Sequence, residues 1–428
     1  MKTHRINPVT SNQRMLAAVL TLGISAWFSL PGHALKPAQS AASAPVRRAP
    51  SHHVPAPVPL FVAPAWGNAV NGLTSAQMAA FLDGQDQFNF VDTPETGLGP
   101  IFNDNSCVAC HIAGAPGGAG NKSVTRYGKT ENGLFDPLTS LGGSLLHKKA
   151  IAPQLRETIP LQANTVAQRV TTPLFGLGLV EAIPDATILA NARRVKPDGI
   201  RGRAAVVTDV ATGQSRVGRF GWKAQHATLL SFTADAYQNE VGVTNRFFPH
   251  ENAPNGNTAL LGQWVPLNAP YEDQPDPDTH LADIDRLVNF ITMLAPPPPR
   301  PLSPSATAGQ RVFAQIGCIE CHQPTMMTGS SSIVALDRKV VPLYSDLLLH
   351  DMGSLNDRIA QADAGTNEMR TAPLWGVRVR KALLHDGRAD SMDAAIGGHD
   401  GEGARARDRY WKLDPASRTA LVDFLNTL

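Results

Sequence analysis

The sequence predicts a mainly α-helical chain divided into two related domains, and three observations carry that expectation. Apolar residues recur at helical spacing, most clearly at positions 284, 287, 288, 291 and 294. A proline run follows at once, Ala295-Pro-Pro-Pro-Pro299-Arg-Pro301, which cannot continue a helix and favours a stiff extended spacer. A short motif then occurs once on each side of that spacer: Arg169-Val-Thr-Thr-Pro173-Leu-Phe-Gly176 and Arg370-Thr-Ala-Pro373-Leu-Trp-Gly376.

Taken from the N-terminus, Lys2, Arg5 and Arg14 precede an apolar run over residues 15–30, and Gly32-His33-Ala34 supplies small residues at −3 and −1 of a cleavage site. That order predicts a signal peptide over 1–34 and an exported, periplasmic protein. The run is shorter than the roughly 20 residues of a spanning helix, so no integral membrane span is expected after cleavage. Residues 35–60 are rich in Ala and Pro and read as a tether. The first domain is expected over 61–294, the proline-rich linker over 295–304 and the second domain over 305–428. Helices are expected over 75–82, 306–316, 391–396 and 415–428, and a hairpin from 204–207 to 216–220. The stretch 145–220 reads as loop-rich. Taking Lys2, Arg5 and Arg14 from the 38 basic residues leaves 35 against 36 acidic ones, formally −1. Such a balance gives no case for nucleic acid as a partner.

The four cysteines stand in two copies of one pattern, Cys107-Val-Ala-Cys110-His111 and Cys318-Ile-Glu-Cys321-His322. Two thiols one helical turn apart reach the two vinyl groups of a single haem, and the adjacent histidine meets the iron as proximal ligand. Two covalently bound haem c groups are therefore expected, giving two cytochrome c-type domains with loop-rich and minor β insertions in the first. A thioredoxin-like pair would need a βαβ context, and a zinc knuckle would need ligands at zinc spacing. The repeated Pro-Leu-aromatic-Gly motif trails each pattern by similar distances, 66 residues from Cys107 to Pro173 and 55 from Cys318 to Pro373. A second echo, Gly221-Trp222-Lys223-Ala224 against Asp386-Gly387-Arg388-Ala389, points the same way, to duplication.

The sixth iron ligand decides what each haem does, because two strong protein ligands suit electron transfer and an open position can bind peroxide or oxygen. Downstream of the second pattern the residue types leave several candidates: Met326, Met327, Met352, Met369, Met392, His350, His385 and His399.

The chain from about residue 70 to 428 resembles the di-haem oxidoreductase family, also labelled thiol oxidoreductases. The likeness rests on Gly97-Leu-Gly-Pro100-Ile-Phe-Asn103, Gly176-Leu-Gly-Leu-Val-Glu181-Ala-Ile-Pro184, Gly218-Arg-Phe-Gly-Trp222-Lys-Ala-Gln225, Ser345-Asp-Leu-Leu-Leu-His350-Asp-Met-Gly353 and Leu384-His385-Asp386-Gly387-Arg388-Ala389. The last segment also looks like its counterpart in bacterial di-haem cytochrome c peroxidases, relatives of the methylamine dehydrogenase maturation enzymes. In the peroxidases a methionine 14 residues beyond the His of His-Asp-Gly ligates the second haem, and that offset from His385 lands on His399. The resemblance thus implies a bis-histidine second haem, held by His322 and His399. Aligning the second echo brings the peroxidases' catalytic glutamate, 16 residues beyond the Ala, onto Glu240, and their nearby arginine onto Lys223. Their bridging tryptophan falls on Phe220 by alignment and on Trp222 by chemistry. His226 is a further candidate, as a displaceable ligand or a plain surface residue. The peroxidases also bind calcium beside a Thr-x-Pro just before His-Asp-Gly; Arg380-Lys381-Ala382 stands there, which argues against the same ion.

The function implied is reduction of hydrogen peroxide at the first haem, with electrons relayed through the second and exchanged with a donor or acceptor protein. A pure electron carrier and an oxidase of a thiol or protein side chain are the other readings. The thiol label finds no support in the residues, since every cysteine is committed to haem.

Overall fold

The structure, a computed structural model, describes residues 65–265 and 269–428; the expected signal peptide and tether lie outside them. Ten α-helices are found among those residues: α1 (Ser75–Asn89), α2 (Leu177–Glu181), α3 (Asp185–Ala192), α4 (Leu229–Ala236), α5 (Thr258–Leu261), α6 (Asp283–Met293), α7 (Pro304–Gln315), α8 (Met392–Gly397), α9 (Ala404–Trp411) and α10 (Pro415–Leu425). The expected hairpin is present as Ala205–Thr208 paired antiparallel with Ser215–Gly218. No helix among the described residues is long and apolar enough to cross a membrane.

The expectation of a mainly α-helical chain is overturned. Among the described residues helix, short 3-10 and π turns included, accounts for 34% and strand for 15%, with the strands spread over several small sheets. The largest is built on Ser123–Glu131, which pairs antiparallel with Leu134–Asp136, Leu145–Leu146 and Thr165–Val170. Its physical basis is ordinary: Val124, Tyr127 and Thr130, with Thr165, Val166 and Val170 opposite, are β-branched or aromatic residues that suit a pleated surface. Two of its strands, Leu145–Leu146 and Thr165–Val170, fall in the stretch 145–220 that reads as loop-rich in the sequence.

Each half is nonetheless organised by a pair of helices crossing at a glycine. A Thr74–Gln77 capping box starts α1, and Phe81 and Phe88 pack on Phe290 of α6 with ring centroids 5.1 and 4.9 Å apart. A Cβ on Gly84 would run into the Arg286 carbonyl oxygen. In the second half α7, capped by Ser303 with Pro304 in its first turn, crosses α10, and a Cβ on Gly309 would meet the Ala420 carbonyl oxygen. The repeated motifs share a backbone as well, with φ of 70° at Gly176 and 71° at Gly376. Both turns need a left-handed residue, which glycine adopts at no steric cost.

Two hydrophobic clusters follow from these crossings. One gathers α1, α2, α4 and α6, and draws in Met326, Val341, Leu343, Leu347, Leu348 and Trp375 from beyond the proline spacer. The other belongs to α7, α9 and α10, through Phe313, Tyr410, Leu421 and Phe424. The described residues group as one compact unit.

Candidate functional site

Both cysteine patterns fold into the same tight turn. The His111 amide donates to the Cys107 carbonyl at 3.0 Å, and the His322 amide to the Cys318 carbonyl at 2.9 Å. This brings each pair of thiols and the following imidazole to one wall of a cavity. Burial pushes the thiols of Cys107 and Cys318 up to about 12 and that of Cys110 up to about 11, so they are neutral. No disulfide forms among them.

The cavity at His322 encloses ≈ 1440 Å³ of empty space, mouth included, and its walls include Phe313, Leu374, Val377, Leu383, Ile396 and Leu421. His399 stands opposite His322, their ring centroids 6.3 Å apart. Two imidazoles sharing one metal ion, each bound at ~2 Å, would sit about 6 Å apart centre to centre. Each ring also turns Nδ1 to a backbone carbonyl, Tyr344 at 3.0 Å for His322 and Ala395 at 2.9 Å for His399. Such anchoring fixes the tautomer and leaves Nε2 free, as metal-bound histidines require. Burial lowers both imidazoles, His322 to about 4, so each is neutral at pH 7 with a lone pair to offer.

The cavity at His111 encloses ≈ 1170 Å³ on the same measure. Burial takes His111 down to about 4 as well; its Nδ1 lies beside the Gly118 and Thr172 backbones without closing a hydrogen bond of good geometry. Among the described residues lining this cavity there is no second histidine and no methionine. Glu240 lines it instead, on the single π-helical turn Tyr237–Val241 that ends α4. Asn103 Nδ2 donates to Glu240 Oε2 at 2.7 Å. Burial raises the carboxyl above its ordinary value, against the pull of Arg126, Asn103 and His147. Arg126 is a wall residue that sequence reasoning missed, and its Nε is buried without a hydrogen bond.

Trp222 lines both cavities. Its indole N–H donates to the Val170 carbonyl at 2.9 Å, and its ring meets His385 edge-on at 6.3 Å. Phe220 lines neither cavity and stacks on Phe232 at 6.0 Å. Lys223 also points elsewhere. Fully buried, its Nζ donates to the carbonyls of Gly365 and Glu368 at 3.1 and 2.6 Å and pairs with Asp357 at 3.0 Å. The left-handed turn at Ala224 (φ 51°) accompanies that change of direction. His226 stands behind the first cavity, bonded to Ser231 Oγ at 3.0 Å and paired with Asp235 at 3.3 Å. His350 lines the second cavity but is clamped between Asp346 at 3.0 Å and Glu402 at 2.6 Å. With Cys321 and Asp346 it forms a trio close enough to hold a metal ion, all within 4.8 Å. Both of its ring nitrogens are already engaged by carboxylates, which leaves no lone pair for one.

These donor sets fit haem. Each cavity presents two thiols one turn apart, an adjacent neutral imidazole and an apolar wall, and the second adds an opposing imidazole. No curated protein matches the chain at significant similarity. Among solved structures, one of Kuenenia stuttgartiensis hydrazine synthase pressurised with xenon shares 14% identity over 84% of this chain and 90% of its own, at a TM-score of 0.39. A score that low fixes neither fold nor chemistry. The family described as "Di-haem oxidoreductase, putative peroxidase" matches residues 155–428. That match spans more than half of the sequence, and the chain belongs to the di-haem oxidoreductase family, whose members are haem enzymes.

Proposed function

We propose that the chain is a periplasmic c-type peroxidase. It would reduce hydrogen peroxide at a haem held by Cys107, Cys110 and His111, with electrons relayed from a haem held by Cys318, Cys321, His322 and His399. One observation carries this reading: the two cavities differ in their second ligand. The cavity at His322 offers an opposing imidazole, which suits a haem that only passes electrons. The cavity at His111 has a carboxyl group and a guanidinium on its wall and, among its described lining residues, no second histidine or methionine.

When bound, the first haem supplies one-electron redox chemistry and a coordination position for peroxide. Hydrogen peroxide takes two electrons and two protons and leaves as two waters. Glu240 is the group placed to move a proton, taking it from one peroxide oxygen and returning it to the other so that water departs. Arg126 favours negative charge beside it. Trp222, shared by both cavities, offers the path between them. The electrons come from a one-electron donor protein.

The test uses the haem-loaded, half-reduced protein. A high-spin ferric signal in electron paramagnetic resonance and an optical response to hydrogen peroxide are expected. Two haems that stay low-spin through half reduction, with spectra unmoved by peroxide, would make the chain an electron carrier instead. Covalent attachment predicts an intact mass carrying two haems; a single addition would reject one of the two sites. For the second haem, near-infrared magnetic circular dichroism should give a bis-histidine band that is lost in His399→Ala. A histidine–methionine band in the wild type would reject that assignment.

A further inference from the structure

Arginine stays charged inside proteins, and burying a cation without a partner costs several kcal/mol. The arginines around the second cavity obey that constraint, with one exception. Arg370 donates to the carbonyls of Gly221 and Thr371, at 2.8 and 2.9 Å. Arg407 holds the His399 carbonyl at 2.7 Å and Asp400 at 3.2 Å. Arg380 is the exception: its Nε and Nη2 are sealed from solvent and make no hydrogen bond. Burial lowers its pKa to about 10, and no carboxylate among the described residues acts against that shift. The acidic residues of the cavity wall are committed elsewhere, Asp198 to Arg409 and Glu402 to His350. Arg380 lines the cavity, and its guanidinium lies 5.9 Å from the centre of the Trp222 ring.

An unpaired cation on the wall of a haem cavity calls for an anion that the haem itself brings. We propose that Arg380 is the counter-ion of a propionate carboxylate of the second haem, and so sets that haem's propionate edge beside Trp222. The pairing has an electronic consequence. A bare cation at that distance would oppose removal of an electron from the indole, and a carboxylate on the same guanidinium largely cancels that field. Arg380 is thus a positioning residue, acting on the relay through the haem edge it holds. The inference rests on haem in the second cavity and not on peroxide being the substrate.

The experiment uses the haem-loaded protein, with Arg380→Gln and Arg380→Lys beside the wild type, and two readouts taken without peroxide. In resonance Raman, the propionate-bending band of the second haem should move in Arg380→Gln. In a potentiometric titration followed at the low-spin signal, loss of the cation favours the ferric form. The second haem's equilibrium should shift toward ferric by about tenfold, or ~59 mV for one electron. Arg380→Lys keeps the charge but not the fork that holds a carboxylate at two points, so the band should move while most of the potential is retained. A wild-type band and potential in Arg380→Gln would overturn the assignment. Should that variant fail to accumulate, Arg380→Lys decides: a displaced band supports the pairing and an unmoved one overturns it. A potential shift with an unmoved band also overturns it, since the cation would then act from a distance or on another anion. Inertness to peroxide would refute the peroxidase reading and leave these results standing.

Discussion

Glu240→Gln is expected to keep both haems and to lower peroxide turnover by ~10²-fold or more, the usual scale for losing a positioned acid–base group. Gln retains an oxygen that can accept from Asn103, whose amide now holds Glu240 at 2.7 Å. Position is thereby preserved while proton transfer is lost. Turnover with an artificial reductant, set against haem content and the high-spin signal, separates a chemical defect from a folding one. Normal turnover in Glu240→Gln would move the acid elsewhere, and Asp104 and Asp235 are the other carboxylates lining that cavity to try.

The same residue predicts a pH dependence. Burial holds the Glu240 carboxyl above its ordinary 4.5, so the ionised form, which accepts the first proton, is present only above that raised value. Turnover should fall as pH drops through it, and this limb should disappear in Glu240→Gln. For stability the sign is opposite. A carboxyl raised in the folded state contributes fully below 4.5, and that contribution is lost as pH rises through the folded value.

What could be read from sequence was what local chemistry dictates. Cys-x-x-Cys-His fixes a turn by covalent spacing, and both copies form it. The helix at 284–294 is written in its apolar period, and α6 occupies nearly the same residues. Offsets within a resemblance brought His399 and Glu240 to cavity walls: Glu240 sits on the π turn, and His399 follows shortly after α8. The same argument failed to describe Lys223. It lies between the left-handed Gly221 and Ala224, in a turn where a sequence offset does not fix the side-chain direction. Phe220 and Trp222, two residues apart, could be told apart only by seeing which faces the cavities. Arg126 and Arg380 carried no signal, since a buried unpaired guanidinium is recognised by what surrounds it. The sheet on Ser123–Glu131 had β-branched residues in view, but its partner Thr165–Val170 lies across a long insertion, and pairing of that range has no local signature.

Asp357→Ala should produce the largest loss of stability, about 3–5 kcal/mol, because it strips the shared partner from two buried cations. Arg169 Nε donates to Asp357 Oδ2 at 2.7 Å, and Lys223 Nζ lies 3.0 Å from Asp357 Oδ1. All three side chains are at most 5% exposed. Burial alone would raise the Asp357 carboxyl, but Arg169 and Lys223 hold it below its ordinary value. Its contribution is therefore present above pH 3.8 and lost as pH falls through the folded value. Losing Lys223 instead leaves Asp357 paired with Arg169, so Lys223→Met should cost less, on the order of 1–3 kcal/mol for the unmet carbonyls of Gly365 and Glu368. Urea unfolding of the haem-loaded variants measures both, and an unchanged slope would assign the loss to stability alone. The order of the two losses is the test. Equal losses would mean that Lys223 and Arg169 cannot substitute for one another, and a loss under about 1 kcal/mol for Asp357→Ala would mean that desolvation already cancels the pair. The network spans the proline spacer: Arg169 comes from before it and Asp357 from after it, while Arg169 also lines the cavity at His111. Asp357→Ala should therefore also disturb the first haem's spectrum before global unfolding, whereas a substitution on the α7–α10 crossing should disturb the second.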